Sequence, residues 1–496
     1  MRTLGLSCLM SLALGLWGCK SGSEMNIDWF QGGMEQALAQ AKEQSRPLFV
    51  YWGAVWCPPC NVLKGTVFHD PAFVEATRSF VAVYLDGDTS EAQIWGEKLG
   101  ASGYPTLLVL NPEGKEVARL QTGLGAAGLT AALSRTRESL APMEERVRKI
   151  LENPSSANAE TWRSVAEYAW DQRTPTDNDV FAKPETFDRL DSLIPADLVV
   201  EKSRLFLTAL DLKADPPSGK TVSATPPQRT AAAERFSQIL DNPALVTANL
   251  RALAYGGIKD AAWLHPSDQT AKETLQKRVV EALEKTRALP DRTPLERLIS
   301  WYPAVQSGHF DRQELTTEIK KALHHVEDEH SHSYLLNAGV GLLFEAKLWD
   351  DAERLLMDHL KSSPWPYYVM GSLSELYDNQ NKAPQALEWA EKAYRSAQGH
   401  ATRLQWGVDY LSALIKATPA EADRILEETR IFLESSLAET DAFHGRSRKR
   451  LERLSKELGK WAKETHAQAR LLVLAKTFRD RCPPQGPCGP YFDSLK

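Results

Sequence analysis

Cys57 and Cys60, set two residues apart in Trp56-Cys57-Pro58-Pro59-Cys60, are the side chains of this sequence best suited to chemistry. At the start of a helix the first thiol meets backbone N–H groups without an intrahelical partner and the positive end of the helix dipole. Both favour thiolate over thiol, which makes Cys57 the attacking nucleophile. Cys60, one turn further in, is placed to close a disulfide onto Cys57 and release a bound partner. The chemistry is thiol–disulfide exchange, carried by the two sulfurs with no cofactor. A CxxC pair can also be half of a zinc site. However, the chain has only six cysteines, and neither a second CxxC nor a paired His lies nearby to complete a tetrahedron. Redox use is therefore favoured and no metal is expected.

A strand must deliver the motif, and the apolar run Pro47-Leu48-Phe49-Val50-Tyr51-Trp52 reads as that strand. Around it the pattern predicts a helix over 30–44, the strand over 47–54 and the redox helix from Cys57. A strand over 80–85, a helix over 91–99, strands over 106–110 and 116–120, and a closing helix over 125–140 follow. Gly103-Tyr104-Pro105-Thr106 opens the run Leu107-Leu108-Val109-Leu110, which ends in the turn Asn111-Pro112-Glu113-Gly114-Lys115.

Over residues 26–140 these motifs resemble the thioredoxin superfamily, an α/β fold in which a cis-proline loop faces the CxxC. The resemblance implies that Pro105 is that proline and that Tyr104 offers its backbone to an extended substrate strand. It also implies that Trp56 belongs to the apolar contact surface beside the active site; a buried core tryptophan is the alternative. The insert Thr66-Val67-Phe68-His69-Asp70-Pro71-Ala72-Phe73-Val74 is similar to the envelope branch that includes the C-terminal domain of transmembrane electron-transferring disulfide reductases. The chain departs from thioredoxin at Tyr51, in place of a buried Asp, and at Val83, in place of a Lys. Any base then comes from water or from Asp86 or Asp88, which otherwise read as caps of the next helix. No His lies between the cysteines, as it does in strongly oxidising relatives, and two prolines remove two N–H donors. Both features point to a reductase or isomerase rather than an oxidant.

The first 18 residues read as a targeting segment, with Arg2 before the apolar stretch Leu4 to Trp17. Leu16-Trp17-Gly18-Cys19 resembles a bacterial lipobox, with plain secretory cleavage as the alternative. Lipidation of Cys19 would leave residues 19–25 as a tether. Lys20, where Asp would signal inner-membrane retention, implies an address on the periplasmic leaflet of the outer membrane of a Gram-negative bacterium. Nothing else reaches the ~18 apolar residues of a membrane span. Net charge is −6 with both signs interspersed, which argues against nucleic acid as a partner. Arg446-Ser447-Arg448-Lys449-Arg450 reads as a solvated helix face.

The remaining sequence has helical periodicity, read as an α-helical region over 141–330 and a tetratricopeptide-like one over 331–496. Ala352 and Ala386 stand 34 positions apart, and Pro364 and Ala393 fit that pattern. An irregular bundle is the alternative. The whole resembles proteobacterial envelope proteins that join a thioredoxin-like domain to a helical tail. The stretch Asp215 to Gln228 reads as a loop. Its Ser218-Gly219-Lys220-Thr221 ends like a phosphate loop, but Ala214 stands where the leading Gly belongs. Cys482 and Cys488 read as a structural disulfide tying down the tail, or else as an electron relay docked over Cys57. His324, His325, His330 and His332, with Glu327, Asp328 and Glu329, read as a polar helix connection rather than a metal site.

Together these features predict an envelope thiol–disulfide oxidoreductase that acts on disulfide-containing envelope proteins and is fed by an upstream electron donor. A helical scaffold with an auxiliary redox domain is the alternative.

Overall fold

The computed structural model describes residues 26–488 apart from 175–178, 217, 218, 220, 221, 325, 327, 438–440 and 483–487. Cys19 and the predicted targeting segment lie outside the described residues, as do His325 and Glu327.

Strand β1 (Leu48–Gly53) is buried along its whole length. It lies between β2 (Val81–Asp86), to which it is parallel, and β3 (Thr106–Leu110), to which it is antiparallel. Strand β4 (Glu116–Leu120) completes a four-stranded sheet of order β2-β1-β3-β4. Side chains alternate across the sheet. Leu48, Val50 and Trp52 pack on α1 (Met34–Gln44) and α4 (Ser90–Lys98). Phe49 and Tyr51 face the redox helix α2 (Pro58–Val62), α3 (Pro71–Thr77) and α5 (Gly125–Glu138). This is the thioredoxin-like α/β architecture expected for residues 26–140.

Local chemistry explains most element ends. In the β3–β4 turn Asn111 Oδ1 accepts from the N–H groups of Glu113 at 3.2 Å and Lys115 at 2.9 Å, and Gly114 takes φ 77°. Only glycine adopts that conformation readily. The first helix begins at Met34 rather than at residue 30. The Phe30 N–H donates to Ala82 O at 2.7 Å, so residues 29 and 30 run beside β2 before Gly32 and Gly33 admit the turn. In the insert, a π-helical turn over Leu63–Val67 follows α2, and Asp70 caps α3 by accepting from Phe73 N–H at 3.0 Å.

From Met143 onward the described chain is helical apart from short turns and isolated bridges. One apolar cluster runs from Val280 to Leu376, across the boundary expected at 330/331. Ala352 and Ala386 are buried at 0% and 2% exposure. Lys347 and Asn381, also 34 positions apart, both turn the chain with positive φ, 55° and 58°. The loop read over 215–228 ends earlier, since Pro226 opens the helix Pro226–Leu240. Among the described residues no helix is long and apolar enough to cross a membrane.

Five later helices matter for the site: Glu329–Glu345 (the 329 helix), Trp349–Leu360 (the 349 helix), Pro366–Asn379 (the 366 helix), His400–Ala417 (the 400 helix) and Gly445–Glu464 (the 445 helix). Residues of the 366, 400 and 445 helices share one continuous apolar cluster with the redox face of the sheet.

Candidate redox site

Cys57 is the N-cap of α2, with extended backbone (φ −71°, ψ 115°), and its Sγ accepts from the Cys60 N–H at 3.3 Å. Pro58 and Pro59 occupy the first two helical positions, where a missing N–H costs little because those donors have no intrahelical partner. Cys57 and Cys60 are joined as a disulfide with Cα atoms 5.2 Å apart. The Tyr104–Pro105 bond is cis. The sulfur pair therefore sits at the positive end of a helix, the position predicted for it.

Beneath the pair the proton chemistry differs from a carboxylate relay. Tyr51 stacks on Tyr84 at 5.0 Å in a cluster with Trp29 and Phe68. Neither hydroxyl has a hydrogen-bond partner among the described residues. Burial, reinforced by the neighbouring Asp86 charge, holds both phenols above their usual range. They stay neutral at any physiological pH. Val83 is buried in the apolar layer on the other side of the sheet. The helix after β2 is capped by Thr89, which accepts from Ala92 N–H at 3.2 Å, and not by Asp86 or Asp88. Asp86 instead accepts from the Asp88 N–H at 3.1 Å.

Asp88 serves a helix far away. Its carboxylate accepts from the Thr402 N–H at 2.8 Å and the Thr402 hydroxyl at 3.0 Å, in the first turn of the 400 helix. Gly399, with φ 84°, lets the chain enter that turn against the carboxylate; a Cβ there would lie 2.4 Å from Asp88 Cγ. Burial pushes the Asp88 carboxyl up, and the two bonds from Thr402 pull it down by less.

Trp56 is buried at 5% exposure, covered by residues more than three hundred positions later. Its indole N–H donates to Thr402 Oγ1. Its ring stacks on Tyr368 of the 366 helix at 5.8 Å and meets Trp406 edge-on at 6.4 Å. A Cβ at Gly371 would lie 2.1 Å from the Trp406 ring, so glycine there makes room for it. Arg446, at the start of the 445 helix, lies 5.6 Å from the Trp56 ring and 5.2 Å from the Tyr104 ring. Burial lowers its pKa and raises that of Tyr104. The Tyr104 hydroxyl accepts from Gln93 at 2.8 Å and donates to Gly87 O at 3.2 Å. Thr402, Arg446 and Tyr368 are site residues that the sequence did not announce. Only the fold brings them to Trp56, and Arg446, read as part of a solvated helix face, packs against the Trp56 and Tyr104 rings instead.

The histidine group divides. His330 reaches the redox helix, its Nδ1 3.1 Å from Oδ1 of Asn61, the residue after Cys60. His332 lies 5.2 Å from the ring of His359, and His324 ends the helix Arg312–His324. No group of three or more metal-binding side chains occurs among the described residues. Cys482 and Cys488 are bonded to each other, Cα atoms 6.0 Å apart, just beyond the helix Gln468–Arg479.

Comparison with known proteins agrees with this geometry. Residues 28–112 match a family model described as thioredoxin-like. The thiol:disulfide interchange proteins DsbD of Vibrio vulnificus strains CMCP6 and YJ016 are each 33% identical over 99 residues, 19% of this chain and 16% of theirs. Thiol:disulfide interchange protein DsbD 1 of Pseudomonas aeruginosa is 28% identical over 106 residues, 21% of this chain and 18% of its own. The likeness thus spans under a fifth of those proteins. With a CxxC at a helix N-terminus and a cis Tyr104–Pro105 bond, this chain carries a thioredoxin-like domain of thiol–disulfide oxidoreductase type.

Proposed function

We propose that the protein is an envelope oxidoreductase, anchored by a lipid on Cys19 at the periplasmic face of the outer membrane, that reduces or isomerises disulfides of envelope proteins. The observation that carries this is Cys57 as N-cap of α2, bonded to Cys60 one turn in, in a thioredoxin-like domain whose Tyr104–Pro105 bond is cis. In the reduced enzyme the Cys57 thiolate attacks one sulfur of a client disulfide, forming a mixed disulfide and expelling a client thiolate. The Cys60 thiolate then attacks Cys57 Sγ, which releases the second client thiolate and leaves the Cys57–Cys60 disulfide. Resetting that disulfide takes two electrons and two protons from a dithiol donor. The Tyr51 and Tyr84 phenols stay neutral and do not act as the base, so protons exchange with solvent when the site is open. Tyr104 and Pro105 supply backbone to the client, and the tetratricopeptide-like helices select it.

Trapping tests this reading. Cys60→Ser should accumulate mixed disulfides through Cys57, and mass spectrometry would identify disulfide-bearing envelope proteins among them. No mixed disulfide on Cys57, together with no insulin reduction by the wild type, would refute it. The alternative, a helical scaffold with an auxiliary redox domain, is favoured by one observation: Cys57 is only 2% exposed.

A further inference from the structure

We propose that the helices over Trp56 occupy the client-docking surface of the redox site, so that the enzyme rests closed and acts on polypeptide disulfides that displace them, not on small-molecule disulfides. This inference deepens the oxidoreductase reading and rests on it.

Exchange needs the attacking sulfur in line with the client S–S bond, within bonding reach of Cys57. In the closed molecule Cys57 is 2% exposed, Cys60 0% and Trp56 5%. The cavity beside Trp56 is about 10 Å³, on the scale of a single water molecule. Even glutathione disulfide has no path to the sulfur unless the helices lift.

The helices are held by an apolar contact around Trp56, with Tyr368 and Trp406, and by polar contacts at their N-termini. Asp88 receives the first turn of the 400 helix through Thr402. Glu97 accepts from the Gly445 N–H at 3.1 Å at the start of the 445 helix, with His444 at 3.1 Å and Arg448 at 2.9 Å. Asn61 meets His330 in the first turn of the 329 helix, and Gly65 lies flat against that turn. A Cβ on Gly65 would lie 3.1 Å from Ser331 Oγ and 3.3 Å from both Asp328 Oδ1 and His330 Cβ. The polar contacts can be exchanged for water on opening, whereas the apolar surface around Trp56 needs another apolar surface to replace the helices.

The substrate class follows from population arithmetic. A ligand shifts a closed–open equilibrium only by its difference in affinity for the two states. A polypeptide client regains the contacts with the Trp56 and Tyr104 rings that the departing helices give up. A small disulfide touches little beyond Cys57, so it reacts only with the fraction already open.

The test uses reduced full-length protein and two substitutions outside the redox residues. Gly65→Leu drives a wedge under the 329 helix, and Thr402→Val removes both the acceptor of Trp56 and the hydroxyl donor to Asp88. Iodoacetamide labelling of Cys57, followed by mass spectrometry, should be about tenfold faster or more in each variant, the factor expected when a site mostly closed becomes substantially open. Reduction of glutathione disulfide should rise by a similar factor, and reduction of insulin by less. Should Gly65→Leu not fold, Thr402→Val decides alone. Equal labelling of wild type and variants, or wild-type glutathione disulfide reduction as fast as theirs, would overturn the closed-site proposal while leaving the oxidoreductase reading intact. Faster labelling with neither disulfide reduced by any form would instead sink the oxidoreductase reading and leave the cover standing.

Discussion

Helices α3 and α4 of the thioredoxin-like domain start on caps of their own, Asp70 and Thr89. The 400 and 445 helices do not: Gly399 and His444 at their N-cap positions give no side-chain cap. Their first turns are satisfied from across the molecule by Asp88 and Glu97, both on the thioredoxin-like domain. A helix leaves its first N–H groups without partners, so something must accept from them. Where the acceptor is local, the helix is a local unit. Where it is remote, the helix depends on a second domain staying in place. The difference predicts that changes around the redox site will be felt by helices more than three hundred positions away, while changes to self-capped helices will stay local.

The largest expected contrast is chemical and separates the two cysteine pairs. Cys57→Ser should reduce insulin turnover to background. Replacing both Cys482 and Cys488 by Ser should leave turnover near wild type and cost stability at the low end of the ~2–4 kcal/mol typical of disulfides, since the loop they close is short. If that double variant lost turnover while Cys57 still alkylated, the C-terminal pair would belong to the electron path.

Acid should weaken the helical region through His359. Its imidazole is buried at 7% exposure, with the His332 ring 5.2 Å away. Burial, and secondarily His332, lowers its pKa from 6.5 to about 4. Between those values the unfolded chain binds the proton and the folded one does not, so stability is present above pH 6.5 and falls as pH drops toward 4. The loss is up to about 3 kcal/mol. Denaturation curves of the wild type and of His359→Gln, taken from pH 7 to pH 4.5, should converge as the pH falls. Parallel curves would show that His359 is not the titrating group.

The thioredoxin-like domain was legible because its signals are local. An apolar run before CxxC, a Pro before a second run and an Asn-Pro-Glu-Gly-Lys turn each fix structure within a few residues, and β1, β3, β4 and α2 fall where the pattern put them. Asp88 shows where legibility ended. An Asp just after a strand reads as a helix cap, and Asp88 is one, but for a helix whose bonded residue stands 314 positions later. Thr89, next to it, took the local role. Trp56 likewise is the buried ring, one of the two readings its sequence allowed, but what buries it is helices more than three hundred positions later. No spacing in a sequence encodes which distant helix returns to cover a site. Gly399 and Gly371 mark such close approaches, yet each looks like an ordinary glycine until the fold is known.

Cap substitutions test the comparison directly. Asp88→Ala removes both bonds to Thr402 and should cost about 1–2 kcal/mol, the upper range for losing a cap. Hydrogen exchange should quicken in the first turn of the 400 helix, far from the substituted residue. Asp70→Ala should cost about 1 kcal/mol, with faster exchange confined to α3. The pH dependence of the Asp88 effect runs opposite to that of His359. Its folded carboxyl is raised, so its contribution is fullest in acid and declines as pH climbs through and above the usual carboxylate range. Faster exchange confined to the β2–α4 turn in Asp88→Ala would break the remote-cap argument.

The smallest effect is expected at Glu97, the second remote cap. Its side chain is 36% exposed, so its ion pair with Arg448 is screened by solvent and contributes little. What remains is the bond from Gly445 N–H and the interaction of a carboxylate with the helix N-terminus. Burial alone would raise the Glu97 carboxyl, but those bonds and the nearby positive charge hold it below its usual range. Its contribution is therefore present at neutral pH and lost as pH falls through that lowered value. Glu97→Ala should cost about 0.5–1 kcal/mol at neutral pH. Glu97→Gln, which keeps an acceptor but not the charge, should restore part of it. The structural readout is exchange at Gly445 and Ser447, at the start of the 445 helix that carries Arg446 over Trp56. Loosening that turn should raise Cys57 alkylation by less than Thr402→Val does, since Glu97 leaves the Trp56–Thr402 contact in place. If Glu97→Ala opened the site more than Thr402→Val, the main latch would lie at the 445 helix, and the ranking of the two remote caps would be reversed.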